Sequence, residues 1–216
     1  DSVTHKHYDT PLGPVECDRA LTADRMRRAG LDRTEDELAH LNEHSVEFQA
    51  IFLRYLFGEA DPVRIVPVLC GPILHETMEK SDPRDVDSVG AFVSALEGIL
   101  EEGAGRVGVI AGVDMSHVGR RFGDAIRVDK GTLRALEAYD RMLLSHAEKG
   151  DAEGFYQQHR LAADHTHVCG FPALYALLAA TRPGRGRLLS YGQAPEEQTG
   201  SVVTFAAMAF ERRAAP

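Results

Sequence analysis

Val107-Gly108-Val109-Ile110-Ala111-Gly112-Val113-Asp114-Met115-Ser116-His117-Val118-Gly119-Arg120-Arg121-Phe122 passes from apolar to charged within one short segment. The run Val107 to Val113 is apolar and small, the pattern of a strand buried on both faces of a sheet. Polarity then arrives at once with Asp114, Ser116 and His117. A buried strand ending in Asp-x-x-His puts two titratable groups at the carboxyl edge of a sheet, where α/β proteins build their sites.

Upstream, Val63–Gly71 reads as a second strand, with Pro67 pointing to a bulge or an edge because it cannot donate to a ladder. Residues 73–83, with His75, read as a loop. Asp85–Glu102 then repeats apolar residues at Val86, Val89, Phe92, Val93, Leu96, Ile99 and Leu100, an amphipathic helix that Gly103 ends. Strand, helix, strand in that order predicts a parallel βαβ unit with a right-handed crossover. The expected fold class is α/β, with a mixed, largely parallel central sheet flanked by helices. Downstream, the spacing predicts helices over Lys130–Lys149, from an Asp151 cap through Ala163, and over Ala173–Thr181. Leu188–Ala194 and Ser201–Phe210 read as two strands joined by a polar loop.

The amino end is less regular. Thr10-Pro11-Leu12-Gly13-Pro14 reads as a turn. His5 and His7 would share a face on a strand, as metal ligands do, but a frayed terminus accounts for them more simply. Thr22 is placed as the N-cap of a helix over Ala23–Ala29, closed by Gly30. Residues 32–42 read as an acidic surface connection. Val46, Ala50, Leu53 and Phe57 are spaced for a helix, so Glu43 and His44 stand near its start, where backbone N–H groups favour negative charge. A capped helix with a solvated acidic end and a functional pair both fit that placement.

Composition narrows the function classes. The chain has 216 residues, a net charge of −9 and no basic stripe, which argues against nucleic acid. No window is apolar enough for a membrane span, and the first residues carry no signal-peptide pattern. Three cysteines make no disulfide framework and suit a reducing cytoplasm. Cys169 stands just before a helix start, where the dipole stabilises thiolate, so it is the cysteine to single out. A buried structural thiol is the competing reading.

Glu43-His44-Ser45-Val46-Glu47-x-Gln49, Ile65-Val66-Pro67-Val68-Leu69-x-Gly71, Val113-Asp114-Met115-Ser116-His117 and Cys169-Gly170-Phe171-Pro172 occur in the order found in Memo-like proteins, and the chain resembles that family over nearly its whole length. Tyr191-Gly192-Gln193 followed by Ser201-Val202-Val203 fits the same pattern. Tyr8-Asp9-Thr10-Pro11-Leu12-Gly13 resembles the family's x-T-P-L-G segment. The resemblance implies a fold like that of the class III extradiol dioxygenases, which use non-heme Fe(II). It also implies a pocket of oxidoreductase type whose activity is unsettled. Memo-like proteins of bacteria and archaea are often named as protein B of a three-part system with a radical-SAM protein (AmmeMemoRadiSam), which makes such a protein an implied partner.

The family resemblance further implies a metal, Fe(II) or copper, held by two histidines and one cysteine. Cys169 matches the cysteine, His117 matches a pocket histidine that serves the dioxygenases as acid/base, and Glu43-His44 matches a motif beside that pocket. The family's ligand histidines lie in H-x-G-Y and G-P-x-H segments, and neither is present here. The expectation is therefore a single Memo-like domain over 1–216 that lacks its N-terminal segment or has lost the metal. Gly112-Val113 stands where the family more often has Ser-Ser, and Thr199-Gly200 replaces an acidic-Ser pair.

The chemistry of these residues is consistent with that reading. Imidazole gives and takes protons near neutral pH, and Asp114 three residues earlier is placed to orient His117. Asp-x-x-His at a strand end is also a common turn, with the aspartate capping local N–H groups. His44, with Glu43, is a second acid/base candidate. Tyr191, Gln193 and Ser201 are the candidate substrate-binding residues. Three functions follow: a metal-dependent oxidoreductase with a dioxygenase-like pocket, a non-catalytic module that reuses the pocket for a peptide or partner, and a hydrolase using Asp114 and His117. The last lacks a nucleophile motif such as G-x-S-x-G and ranks lowest.

Overall fold

In the computed structural model, the described residues are 2–22, 30, 34–41, 43–59, 62–71, 73–77, 79–103 and 105–211. They fall into two compact units, Asp1–Gly112 and Val113–Pro216.

In the first unit, strand β1 (Ser2–Val3) pairs antiparallel with β2 (Val68–Leu69), Ser2 opposite Leu69 and Val3 opposite Val68. Ser2, Val3 and Thr4 are buried, so the described amino end is packed rather than frayed, while His5 and His7 beyond it belong to no strand. The turn over Thr10–Gly13 forms as expected, with the Gly13 N–H donating to the Thr10 carbonyl at 3.0 Å. The strand expected over Val63–Gly71 shrinks to β2 and a single parallel bridge of Ile65 to Cys17. Pro67, buried between them, has no N–H to give a ladder. Asp18 caps the helical turn Arg19–Leu21, and Thr22 closes it. The helix expected over Ala23–Ala29 lies outside the described residues.

A 3-10 helix, Thr34–Leu41, occupies most of the expected acidic connection. Helix α1 (Ser45–Phe57) follows and ends at Gly58, whose φ of 63° is glycine's own region. Its outward face leaves Phe48, Phe52, Tyr55 and Leu56 exposed. A helical turn over Leu74–Thr77 interrupts the expected loop. Helix α2 (Asp87–Glu102) buries Val89, Phe92, Val93 and Ile99, the stripe its spacing predicts.

Val107–Val113 belongs to no strand. An apolar run becomes a strand only where a neighbouring chain offers N–H and C=O groups to it. That pairing begins later, at Met115, whose N–H donates to the Thr204 carbonyl at 2.9 Å. With Val63–Gly71 shortened and Val107–Val113 unpaired, the βαβ unit does not form. The largely parallel central sheet is thereby corrected: the described strands make two antiparallel sheets in a mixed α/β fold.

In the second unit the sheet order is β3-β5-β4, from β3 (His117–Val118), β4 (Gly186–Glu196) and β5 (Ser201–Phe210). The last two form the expected hairpin. Helix α3 (Lys130–Glu148) opens on a capping box between Asp129 and Thr132. Asp151 caps α4 (Ala152–Leu161), accepting from the Gly154 N–H at 2.8 Å. This helix stops short of Ala163 because Ala163 and Asp164 turn to φ of 47° and 53°. Helix α5 starts at Phe171, two residues before the expected Ala173, since Pro172 fits a first turn whose N–H groups need no partner (Phe171–Thr181). The rings of Phe155, Tyr156, His159, Phe171 and Tyr175 pack together, with His159 stacked on Phe171 at 4.1 Å. No helix among the described residues is long and apolar enough to cross a membrane.

One polar node joins α3 to all three strands or their flanks. The Asp140 carboxylate, fully buried, accepts from the Ser116 hydroxyl at 2.7 Å, the Thr204 hydroxyl at 2.6 Å and the Tyr191 hydroxyl at 2.8 Å. Truncation leaves two buried hydroxyls and the half-buried Tyr191 hydroxyl without this acceptor. Asp140→Ala is therefore expected to destabilise the protein by about 3 kcal/mol or more, measured by urea unfolding.

His159 generates a second prediction. It is 1% exposed, and burial holds its imidazole below the ordinary range, offset in part by Asp164. Below pH about 6.5 the unfolded chain binds a proton that the folded chain refuses. Stability is then lost as pH falls from that point toward the depressed folded value. Melting temperature should drop on going from neutral pH to about pH 5, and His159→Gln should flatten that part of the profile.

Candidate functional site

The edge of the second unit that holds Asp114 and His117 is built by two close approaches. Gly170, just before α5, lies against the Asp114 carbonyl, where a Cβ would overlap it. That contact brings the exposed Cys169 thiol to 3.9 Å from the same carbonyl oxygen. On the other side, the turn after α4 carries positive φ at Ala163, Asp164 and His167. The Asp164 carboxylate ties it back by accepting from the Val168 N–H at 2.8 Å. This turn presents the Thr166 carbonyl to the His117 N–H at 2.7 Å.

The His117 ring is thereby set in a defined frame. Its Nδ1 lies 3.1 Å from the Met115 carbonyl. A carbonyl can only accept, so in the neutral ring Nδ1 carries the proton and Nε2 carries the lone pair. Nε2 is 3.8 Å from Asp114 Oδ2, an electrostatic contact too long for a hydrogen bond. The Phe122 ring meets the imidazole edge-on at 5.0 Å. The histidine side chain is 17% exposed and that of Asp114 is 55% exposed, so the pair reaches solvent through the carboxylate. Asp114, His117 and Cys169 thus share one edge.

The other candidates of this unit are engaged elsewhere. The Ser201 hydroxyl, buried, accepts from the Arg121 N–H at 3.0 Å and fixes the 3-10 turn Arg120–Phe122. Gly119 (φ 117°) runs so close to Ser201 that no side chain fits between them. Tyr191 gives its hydroxyl to Asp140, and burial followed by that carboxylate pushes its pKa well above the ordinary phenol range. The Gln193 amide donates to the Leu133 carbonyl at 2.8 Å and to the Tyr191 oxygen at 3.2 Å.

In the first unit, Glu43 and His44 are both exposed at the start of α1. The Glu43 carboxylate accepts from the Ser45 N–H at 2.9 Å, and that bond is the main cause holding its carboxyl below the usual range. This is the capping role that an acidic helix start suggests. The His44 ring makes no capping bond and lies 6.2 Å from Phe48. Burial pushes the Cys17 thiol up and that of Cys70 up to about 11, which leaves neither a ready thiolate.

A metal is tested by its donors. A thiolate and an imidazole suit a soft or borderline ion, yet among the described residues no three His, Cys, Asp or Glu side chains are grouped to hold one. Cys169 and His117 alone do not complete a coordination set. Sequence reasoning missed Asp140 and Thr204, the residues that lock the strand behind the site. The signal was present: Asp140 interrupts the apolar stripe of α3 formed by Leu133, Leu136, Leu143, Leu144 and Ala147. A carboxylate on a core stripe needs partners.

Comparison with known proteins agrees with the motif order. The family model described as Memo-like protein matches residues 2–209. A MEMO1 family protein of Aquifex aeolicus is 30% identical over 204 residues, covering 93% of this chain and 49% of the relative. One from Methanosarcina barkeri is 29% identical over 215 residues, covering 97% and 70%. One from Thermoplasma acidophilum is 34% identical over 187 residues, covering 84% and 56%. The chain thus spans about half the length of the Aquifex protein. With the site edge, the motif order and a family match running from Ser2 to Ala209, the chain belongs to the Memo-like protein family.

Proposed function

We propose that the chain carries the proton-exchanging edge of a Memo-like pocket, of the oxidoreductase type seen in dioxygenase-like proteins. His117 is the group that gives and takes the proton. The observation that supports this is the Nδ1 contact to the Met115 carbonyl, which leaves the lone pair on Nε2, 3.8 Å from the more exposed Asp114 carboxylate. A polar ligand placed there meets the Nε2 lone pair as acceptor, while Asp114 stabilises the imidazolium formed when the proton is taken up. Cys169, on the same edge, offers a soft sulfur to that ligand. His44 and Glu43 are proposed as a second polar pair of the protein's chemistry, and Tyr191, Gln193 and Ser201 as residues that shape the site from behind.

The Fe(II) or copper that the family resemblance implies would take Cys169 as its ligand. Among the described residues no such set is complete, and the proposed proton exchange uses His117 with Asp114. A radical-SAM system protein remains the proposed partner, and three thiols with no disulfide framework suit a reducing cytoplasm.

Two measurements test this reading. A catechol-type diol, titrated into the protein with ¹³C-labelled histidine, is expected to shift the His117 ring signals saturably, with binding weakened at least several-fold in His117→Gln. Binding that is unchanged in His117→Gln would favour instead a non-catalytic module that uses the pocket for a peptide or partner. Metal content is the second. After anaerobic loading with Fe(II) or Cu(I) and desalting, this chain is expected to retain less than one ion per molecule, and Cys169→Ser to retain less still. Stoichiometric metal that survives Cys169→Ser would overturn the role given to Cys169.

A further inference from the structure

We infer that Asp140 is a positioning residue for His117, acting through Ser116 and Thr204 rather than by touching a ligand. This rests on the reading of His117 given above and extends it to the residue that aims the imidazole.

The strand that carries His117 is short: β3 has only two residues, and its ladder to β5 holds His117 and Val118. What fixes the backbone before it is a set of bonds converging on one carboxylate. The Met115 N–H donates to the Thr204 carbonyl at 2.9 Å, and the Thr204 N–H donates to the Ser116 carbonyl at 2.9 Å. The Ser116 N–H donates to the Thr204 hydroxyl at 2.9 Å, and that hydroxyl in turn donates to the Asp140 carboxylate at 2.6 Å. The Ser116 hydroxyl donates to the other carboxylate oxygen at 2.7 Å. Ser116 is therefore gripped by main chain and side chain, both lines ending on Asp140, which sits on the rigid 19-residue helix α3.

Ser116 lies between the two residues that define the imidazole. Met115 supplies the carbonyl that holds Nδ1, and His117 supplies the ring. A shift of Ser116 moves the one against the other, and the 3.1 Å contact depends on their relative placement. Hydrogen bonds to an ionised acceptor are shorter and stronger than neutral ones, which suits a carboxylate to this task. A well-packed apolar residue at position 140 would stabilise a helix stripe with no desolvation cost. The buried acid instead selects one placement of Ser116.

The Tyr191 hydroxyl also ends on Asp140, from β4 and on the same carboxylate oxygen as Thr204, one bond further from Ser116. This provides the control. In protein labelled with ¹⁵N-histidine, at an alkaline pH where imidazole is neutral, long-range proton–nitrogen correlation reads which ring nitrogen of His117 bears the proton. His117→Gln assigns the signal. Wild type is expected to show the Nδ1–H form. Ser116→Ala, and Asp140→Asn as a variant that keeps size but turns one accepting oxygen into a donating amide, are each expected to shift the ring several-fold toward Nε2–H. Tyr191→Phe, which removes a donor to the carboxylate but leaves both lines from Ser116 in place, is expected to shift it less than either. A merely structural Asp140 would give no tautomer change in Ser116→Ala and Asp140→Asn, or the same change in all three variants, and either result overturns the proposal. If the tautomer responds as expected while the diol titration shows no binding at His117, the positioning role stands and the proton-exchange reading falls.

Discussion

A carboxylate without solvent is among the most demanding groups a fold can contain, and the second unit is arranged to satisfy one. Asp140 is surrounded by three hydroxyl donors drawn from Ser116, Thr204 and Tyr191, which belong to the start of β3, to β5 and to β4. Each of those strands must be in register for its hydroxyl to arrive. The hairpin sets the partners of Tyr191 and Thr204, since Tyr191 faces Ala206 and Gln193 faces Thr204 across the ladder. A slip of one residue would turn these side chains to the opposite face of the sheet. The buried charge thus penalises every register but one, which apolar packing alone does weakly in a three-stranded sheet.

The same accounting explains why the site edge needs so little regular structure. β3 is two residues long, yet His117 is held from four directions: by the ladder, by the Thr166 carbonyl, by the Met115 carbonyl and by the Phe122 ring. The turn that supplies Thr166 contains three non-glycine residues in left-handed conformations, which costs conformational energy. The His159 ring, stacked on Phe171 and facing Asp164, anchors its near end. Rigid packing of α4 on α5 therefore stabilises a strained loop, and that loop closes the backbone hydrogen bonding of a short edge strand.

Local signals in the sequence carried the helices and the final hairpin. Apolar spacing located α1, α2 and α3 to within a few residues, and Asp151 and Asp129 cap as their chemistry requires. What failed was pairing. Val107–Val113 has the composition of a buried strand, but composition says nothing of whether a neighbour offers N–H and C=O groups. Among the described residues none does before Met115. The direction of a sheet is likewise a property of partners far apart in sequence. The site edge was legible at Asp114, His117 and Cys169, because titratable groups beside apolar runs stand out. Its support was not, because Asp140 looks like any helix aspartate until Leu136 four positions before it and Leu143 and Leu144 three and four positions after it are counted.

The geometry of Asp114 bears on what this edge can do. Its carboxylate faces His117 at 3.8 Å, while its carbonyl faces the Cys169 thiol and the start of α5. In a tight histidine–carboxylate pair the acid takes the ring's N–H, which leaves the far nitrogen as the base. Here the Met115 carbonyl fills that role at Nδ1, and the acid stands beside Nε2 instead. A carboxylate in that position does little for the neutral ring, since no proton lies between them. It acts once Nε2 has gained a proton, when opposite charges face one another across 3.8 Å. On the reading of His117 proposed above, this is the contact that a proton-accepting ring would use.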